Sequence, residues 1–266
     1  MKTLNLNIAY AQLDLAWKDP KHNCYKIEQW LDNNKQQTDL VILPEMFTTG
    51  FVTEPREVAE TMQGETITWL QEQAKRYNLA IIGSLIIEEQ GRYYNRLFFM
   101  DRHGEYQTYD KRHLFTYGGE HKKFDGGKER LIVELNGWRI CPMICYDLRF
   151  PVWSKNTYQN GQYDYDVLIY IANWPSARAH AFRQLLVARA IENQAYVVGV
   201  NRIGVDGKGL YYQGNTTALD FKGHHISEIE PDEEAWAHVS LSHQSLEDFR
   251  QSFPLGMDWD TFTINS

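Results

Sequence analysis

At 266 residues, with 43% apolar and 14% aromatic side chains and no Pro, Gly or Ser-rich linker, the chain can bury a large core, and a single domain over residues 1–266 is expected. Its formal charge of -8 argues against nucleic acid as a partner, because that binding is driven by clustered Lys and Arg neutralising phosphate. Three cysteines at unrelated spacings suggest reduced thiols, and Asn5, Asn7, Gln12 and Asp14 interrupt the N-terminal apolar run, so neither a signal peptide nor a membrane span is expected and the cytoplasm is the expected compartment.

Residues 4–13 alternate with Asn5 and Asn7 on one face, the period of a strand, and Asp19-Pro20 then opens a helix through Trp30 and Leu31. Residues 40–43 lack polar alternation and read as a central strand buried on both faces; Pro44 ends it and Glu45 follows. A helix over 65–77 leads to a strand over 80–87, and strand, helix, strand is the unit of a layered α/β fold. Residues 93–100 and 105–109 predict a hairpin about Asp101-Arg102-His103-Gly104, and Lys111 leaves its second strand. The glycine-rich loop 116–127 lacks P-loop spacing and no helix follows it, so it reads as the mouth of a site, with Glu120 its chemically interesting residue. His113 and His121 belong to no cluster with ligand spacing, and neither metal nor any other cofactor is expected.

Asn136-Gly137 joins residues 131–135 and 138–144 as a second hairpin, whose second strand ends at Cys145. Pro151 begins the next helix. Residues 166–172 form another buried strand, ending in Asn173-Trp174-Pro175, and a helix over 177–193 leads to a strand over 195–200 that ends in Asn201-Arg202. Residues 214–220 and 235–241 read as late edge strands, followed by a short helix over 246–250.

At Cys145 an apolar strand breaks abruptly into charge and then proline, in the run Ile144-Cys145-Tyr146-Asp147-Leu148-Arg149-Phe150-Pro151. Open α/β sheets carry their chemistry at such strand ends, where N–H groups of the following turn can face an oxygen gaining negative charge. An isolated cysteine is more often a packing residue, and Cys24 and Cys141 are read that way. Cys145 differs because two other strands also deliver ionisable groups, Glu45 and Lys111, with Glu120 following in the glycine-rich loop.

A glutamate, a lysine and a cysteine leaving strand ends in this order resemble the nitrilase superfamily of carbon-nitrogen hydrolases. The likeness runs from Ile8-Ala9-Tyr10-Ala11-Gln12 to near the C-terminus, and the stretches around Cys145-Tyr146-Asp147-Leu148-Arg149-Phe150-Pro151 and Ala188-Arg189-Ala190-Ile191-Glu192-Asn193-Gln194 are most similar to its omega-amidase branch. The resemblance implies an α/β fold, a four-layer αββα sandwich, and a cofactor-free amidase acting on a small linear omega-amide of the 2-oxoglutaramate or succinamate type. It also implies a homodimer joined through the helical face after Cys145 and the C-terminal segment, for which Phe150, Val152, Trp153, Phe182 and Leu186 supply apolar surface.

In that family's terms Cys145 is the nucleophile, Glu45 the general base and then acid, Lys111 an oxyanion donor together with the Tyr146 N–H, and Glu120 the second glutamate that holds the lysine and substrate; Asn173 and Trp174 lie beside the site. A distal substrate carboxylate needs a local cation in so acidic a protein, and Arg178 or Arg202 is nearest; either could equally pair with a surface acid. Asp147 and Arg149 either contact substrate or hold the turn as an ion pair. Other substrates of the same chemistry, a nitrile, a carbamoylated amine or another aliphatic amide, stay open, as does a non-catalytic binding protein, against which the four intact residues Glu45, Lys111, Glu120 and Cys145 argue.

Overall fold

The structure, a computed structural model, describes residues 5–34 and 36–264. In chain order its strands are β1 (Asn5–Gln12), β2 (Leu40–Ile42), β3 (Ala80–Glu89), β4 (Arg92–Met100), β5 (Tyr106–Asp110), β6 (Val133–Leu135), β7 (Trp138–Ile144), β8 (Tyr158–Gln159), β9 (Gln162–Tyr163), β10 (Val167–Ala172), β11 (Tyr196–Asn201), β12 (Ile203–Val205), β13 (Tyr211–Gln213), β14 (Thr217–Leu219), β15 (His225–Glu228) and β16 (Ala235–Ser242). The helices are α1 (Pro20–Asn33), α2 (Glu65–Tyr77), α3 (Pro151–Ser154), α4 (Ala179–Asn193) and α5 (His243–Ser252). Among the described residues no helix is long and apolar enough to cross a membrane.

Two six-stranded sheets carry the architecture, one ordered β16-β1-β2-β3-β4-β5 and the other β15-β14-β11-β10-β7-β6. Each has a parallel centre, β1-β2-β3 and β7-β10-β11, flanked by antiparallel strands. The period-two pattern of the first sheet divides its side chains cleanly: Ile8, Tyr10, Ile42 and Ile82 join a core shared with the second sheet, while Ala9, Ala11, Val41 and Ile81 pack under Ile27 and Leu31 of α1 and Ile67, Leu70 and Ala74 of α2. On the far side Phe182, Leu186 and Ala190 of α4 and Leu246 of α5 cover the second sheet. The layers are therefore helix, sheet, sheet, helix, the four-layer αββα sandwich.

Several local signals behave as their chemistry requires. Asp19 caps α1 by accepting from the His22 N–H, with Pro20 in the first helical turn, where its missing donor costs nothing. Residues 65–77 and 138–144 take the expected elements to the residue. Two expectations change. Residues 217–219 are not an edge, because β15 pairs outside them; that strand is short and polar, which hides it from a hydrophobicity pattern. Phe182 and Leu186 cannot form a subunit face, since both are fully buried against the second sheet; Val152, Phe262 and Ile264 instead leave apolar surface around one groove.

The parallel centres aim their carboxyl ends the same way within each sheet, so Glu45 after β2, Cys145 after β7 and Asn173 after β10 sit at those ends, and Lys111 follows the edge strand β5. Gly127 shows how closely the chain is held there. Its N–H donates to the Lys111 carbonyl at 3.0 Å, and a β-carbon on it would collide with the Asp110 carbonyl oxygen, so only glycine permits this approach to the strand that carries Lys111.

Candidate active site

Glu45, Lys111 and Glu120 are fully buried, and Lys111 bonds to both carboxylates. The Lys111 ammonium donates to Glu45 Oε1 at 2.8 Å and to Glu120 Oε2 and Oε1 at 3.0 and 3.2 Å. Glu120 is fixed from behind by the Phe115 N–H, 2.6 Å from Oε2. Glu45 Oε2 accepts the Asn173 backbone N–H at 2.8 Å, and the carbonyl of that same Asn173 lies 3.9 Å from Cys145 Sγ. One residue thus ties the carboxylate and the thiol together.

The backbone at both strand ends is unusual. Cys145 has φ 44° and Met46, directly after Glu45, has φ 44°, a left-handed conformation that costs a non-glycine residue about 1–3 kcal/mol. At Cys145 the sharp turn starts a 3-10 helix over Cys145–Arg149, whose first N–H groups have no acceptor within the turn. Asp147 stabilises this turn. Its carboxylate accepts from the Ile144 N–H, the His113 N–H and the Tyr109 hydroxyl at 3.1, 3.0 and 2.7 Å, so it is a structural anchor whose partners are not Arg149.

A cavity of about 260 Å³ opens over this floor, lined on one side by Lys111, Cys145, Tyr146, Asn173 and Trp174. Phe51, Phe115 and Tyr117 form an aromatic wall, and the loop between β12 and β13 contributes Asp206, Lys208 and Leu210. Arg178 and Arg149 reach the same space. The Arg178 guanidinium lies over the Phe115 ring at 5.3 Å and that of Arg149 over Trp174 at 4.8 Å, and neither has a carboxylate partner among the described residues. Arg202 is elsewhere: it is fully buried, donating to Asp14 Oδ1 and to the Leu15 and Ile203 carbonyls, and it does not line the cavity.

Ionisation follows from burial and neighbours. Burial alone would push the Lys111 ammonium down, but the Glu120 and Glu45 carboxylates more than reverse this and hold it above its ordinary value, so it stays charged. Burial raises the Glu120 carboxyl, with Lys111 opposing and Glu45 adding to the rise. Burial, and then the adjacent Glu45, push the Cys145 thiol well up, against the weaker pull of Lys111. Both effects disfavour a thiolate on the resting sulfur, which lies beside Glu45. Burial also pushes Cys24 and Cys141 up to about 12, and unlike Cys145 neither of them lines the cavity.

Asn95 is a member of this cluster that the sequence pattern did not reveal. Its Nδ2 donates to Glu45 Oε1 at 2.8 Å and to Glu120 Oε1 at 3.3 Å, and its carbonyl accepts the Lys111 N–H at 3.0 Å. The available signal was an asparagine inside a strand, a position where that residue is disfavoured. Asn201 was passed over too: its side chain accepts the Trp174 N–H and donates to the Trp174 and Gly214 carbonyls, fixing the Asn173-Trp174 turn.

Asp166, His243 and Glu247 bring three potential metal-ligand atoms within 4.8 Å. The Arg250 guanidinium already donates to Asp166 at 2.8 Å and Arg139 approaches the same oxygen at 3.4 Å, so the charge there is met by arginine and the donor set does not suit a cation.

The family model for carbon-nitrogen hydrolases matches residues 7–251. An omega-amidase of Yersinia enterocolitica, YafV, is 44% identical over 264 residues, covering 99% of this chain and 100% of its own. A 2-oxoglutaramate amidase of Bacillus subtilis is 30% identical over 251 residues, 93% of this chain and 95% of that protein. Among solved structures, a carbon-nitrogen hydrolase superfamily protein of Xanthomonas campestris with an arsenic adduct in its active site superposes with a TM-score of 0.96, at 43% identity and with 99% and 100% of the two chains covered.

Proposed function

The chain belongs to the carbon-nitrogen hydrolase family, and on that premise we propose that it is an omega-amidase, hydrolysing a short linear amide with a carboxylate at its far end, of the 2-oxoglutaramate or succinamate type, to the dicarboxylic acid and ammonia. The observation that carries this reading is the pair of arginines with no carboxylate partner among the described residues on the cavity that Lys111 and Cys145 also line. In a protein of net charge -8, an anionic substrate needs such a local cation. Arg178 and Arg149 supply two, and a guanidinium binds a carboxylate through paired hydrogen bonds. A cavity of about 260 Å³ suits a short chain.

In this mechanism Cys145 Sγ attacks the amide carbon as its proton passes to Glu45. The tetrahedral oxyanion is met by the Lys111 ammonium and the Tyr146 N–H, each such donor typically worth about 2.7–4 kcal/mol in the transition state. Glu45 returns the proton to the departing nitrogen, ammonia leaves, and a Cys145 thioester remains. Water then gives a proton to Glu45 and attacks the thioester carbon; collapse releases the acid and the proton returns to sulfur. Because burial and then Glu45 disfavour a resting thiolate, the reaction needs Glu45 to take the proton from sulfur. Glu120 holds Lys111 in place, while Asn173 and Trp174 shape the wall.

One domain, a cytoplasmic setting matching three unpaired cysteines, and a homodimer through the groove near Val152, Phe262 and Ile264 complete the reading. Ammonia release from a panel of 2-oxoglutaramate, succinamate, butyramide and a nitrile tests it. Preference for the amide acids supports it, and preference for butyramide or the nitrile overturns it. Sedimentation showing only monomer at micromolar concentration would remove the dimer.

A further inference from the structure

We infer that Asn95 is a positioning residue that directs proton traffic within the buried cluster, forcing the exchange with Cys145 onto one oxygen of Glu45. Donors and acceptors divide unequally between the two oxygens. Glu45 Oε1 receives two donors, Lys111 Nζ and Asn95 Nδ2, both at 2.8 Å. Among the described residues Oε2 receives one donor, the Asn173 N–H, so the carboxylate's open lone pair lies on Oε2, the oxygen bound to the same residue whose carbonyl neighbours Cys145 Sγ. A proton leaving sulfur therefore arrives at Oε2.

The second hydrogen of the Asn95 amide faces Glu120 Oε1 at 3.3 Å, so one neutral group bridges two buried carboxylates that share a single ammonium. The reverse orientation of that amide would set its oxygen against two carboxylate oxygens, and it is excluded on electrostatic grounds. In the orientation adopted, Asn95 Oδ1 is buried with no hydrogen-bond partner among the described residues. An unmade acceptor of this kind is costly, and it persists here because both amide hydrogens are committed to the carboxylates.

Residue 95 must donate without carrying charge. Asn95→Leu removes both donors and leaves the shape. Asn95→Asp keeps shape and polarity, but once ionised it offers no donor and adds a third carboxylate to the cluster, which further disfavours negative charge on sulfur.

The test reads thiol chemistry and needs no substrate, so it is independent of the omega-amide assignment. Iodoacetamide alkylation of Cys145 is followed against pH by peptide mass, with the Cys24 and Cys141 peptides as internal references for alkylation away from the cavity. In Asn95→Leu the rate falls about tenfold on the acid side of the profile, where loss of one charge-assisted hydrogen bond favours the protonated cluster. It changes little on the alkaline side. At neutral pH the order is wild type, then Leu, then Asp. A residue serving only to fill space leaves the Leu variant at the wild-type rate across the whole pH range. Should the Leu variant not fold, Asn95→Ala, which removes the same donors without adding charge, is measured instead: an alkylation profile like that of the wild type overturns the inference, and one depressed on the acid side supports it. Equal rates in all three folded proteins overturn it as well.

Discussion

Replacing Lys111 by methionine separates the catalytic from the structural demands on the cluster. The ammonium touches Glu45 and Glu120 at 2.8 to 3.2 Å and all three groups are fully buried, so Lys111→Met leaves two carboxylates facing each other with only the Asn95 amide between them. Removing one partner from a buried ion pair costs about 3–5 kcal/mol. The pair relieves part of this by taking up a proton, each tenfold gain in proton affinity recovering about 1.36 kcal/mol. On the proposed mechanism activity suffers twice. Loss of an oxyanion donor lowers kcat by about 10²–10³, and a proton retained on Glu45 removes the base that Cys145 needs. Ammonia release at saturating succinamate should therefore fall by at least about 10². Urea denaturation supplies the second assay. A folded-state carboxyl pair with a raised pKa holds its proton above the pH at which the unfolded chain releases one, so the folded variant binds more protons and its stability falls as pH rises through that window. The stability deficit relative to wild type should then be smallest in acid and grow toward neutral pH. A variant within tenfold of wild-type kcat, or a deficit independent of pH, refutes the reasoning.

Arg178→Gln and Arg149→Gln should each lower kcat/KM for succinamate by about 10- to 100-fold, the value of a charged hydrogen bond, while barely changing hydrolysis of butyramide; if both variants treat the two amides alike, the anchor lies elsewhere. Asp166→Ala strips the acid from Arg250, which is buried with it at 2.8 Å, and should cost about 3–5 kcal/mol by urea denaturation without altering kcat of the folded enzyme. Burial alone would raise Asp166, but Arg250 and Arg139 hold it below the usual carboxylate range. Its contribution is therefore present above the unfolded value near about 3.9 and is lost as pH falls through the lower folded value, so wild type and Asp166→Ala should converge in stability only in strong acid.

Much of the fold was legible in the sequence because it rests on short-range rules. The unbroken apolar run before Pro44 and the alternation that sends Ile8 and Ala9 to opposite faces identify strands and their faces. Asn136-Gly137 turns between β6 and β7 as that dipeptide predicts, both residues taking positive φ. Strand ends carrying Glu45, Lys111 and Cys145 were visible for the same reason, since apolar periodicity stops where the chain leaves the core.

What the tertiary structure alone decided concerns direction and shared charge. Arg202 and Arg149 are both arginines just past strand ends, yet one is buried against Asp14 and Leu15 and the other lines the cavity, a difference set by how the two sheets and the β12–β13 loop pack. Phe182 and Leu186 look like surface on a helix until the second sheet covers them. Asn95 reads as an ordinary strand residue, and only the meeting of β4 with the ends of β2 and β5 brings its amide between two carboxylates. The upward push on the Cys145 thiol is likewise collective: it depends on burial and on Glu45, a residue a hundred positions away in sequence, and no local pattern encodes a field assembled from both sheets.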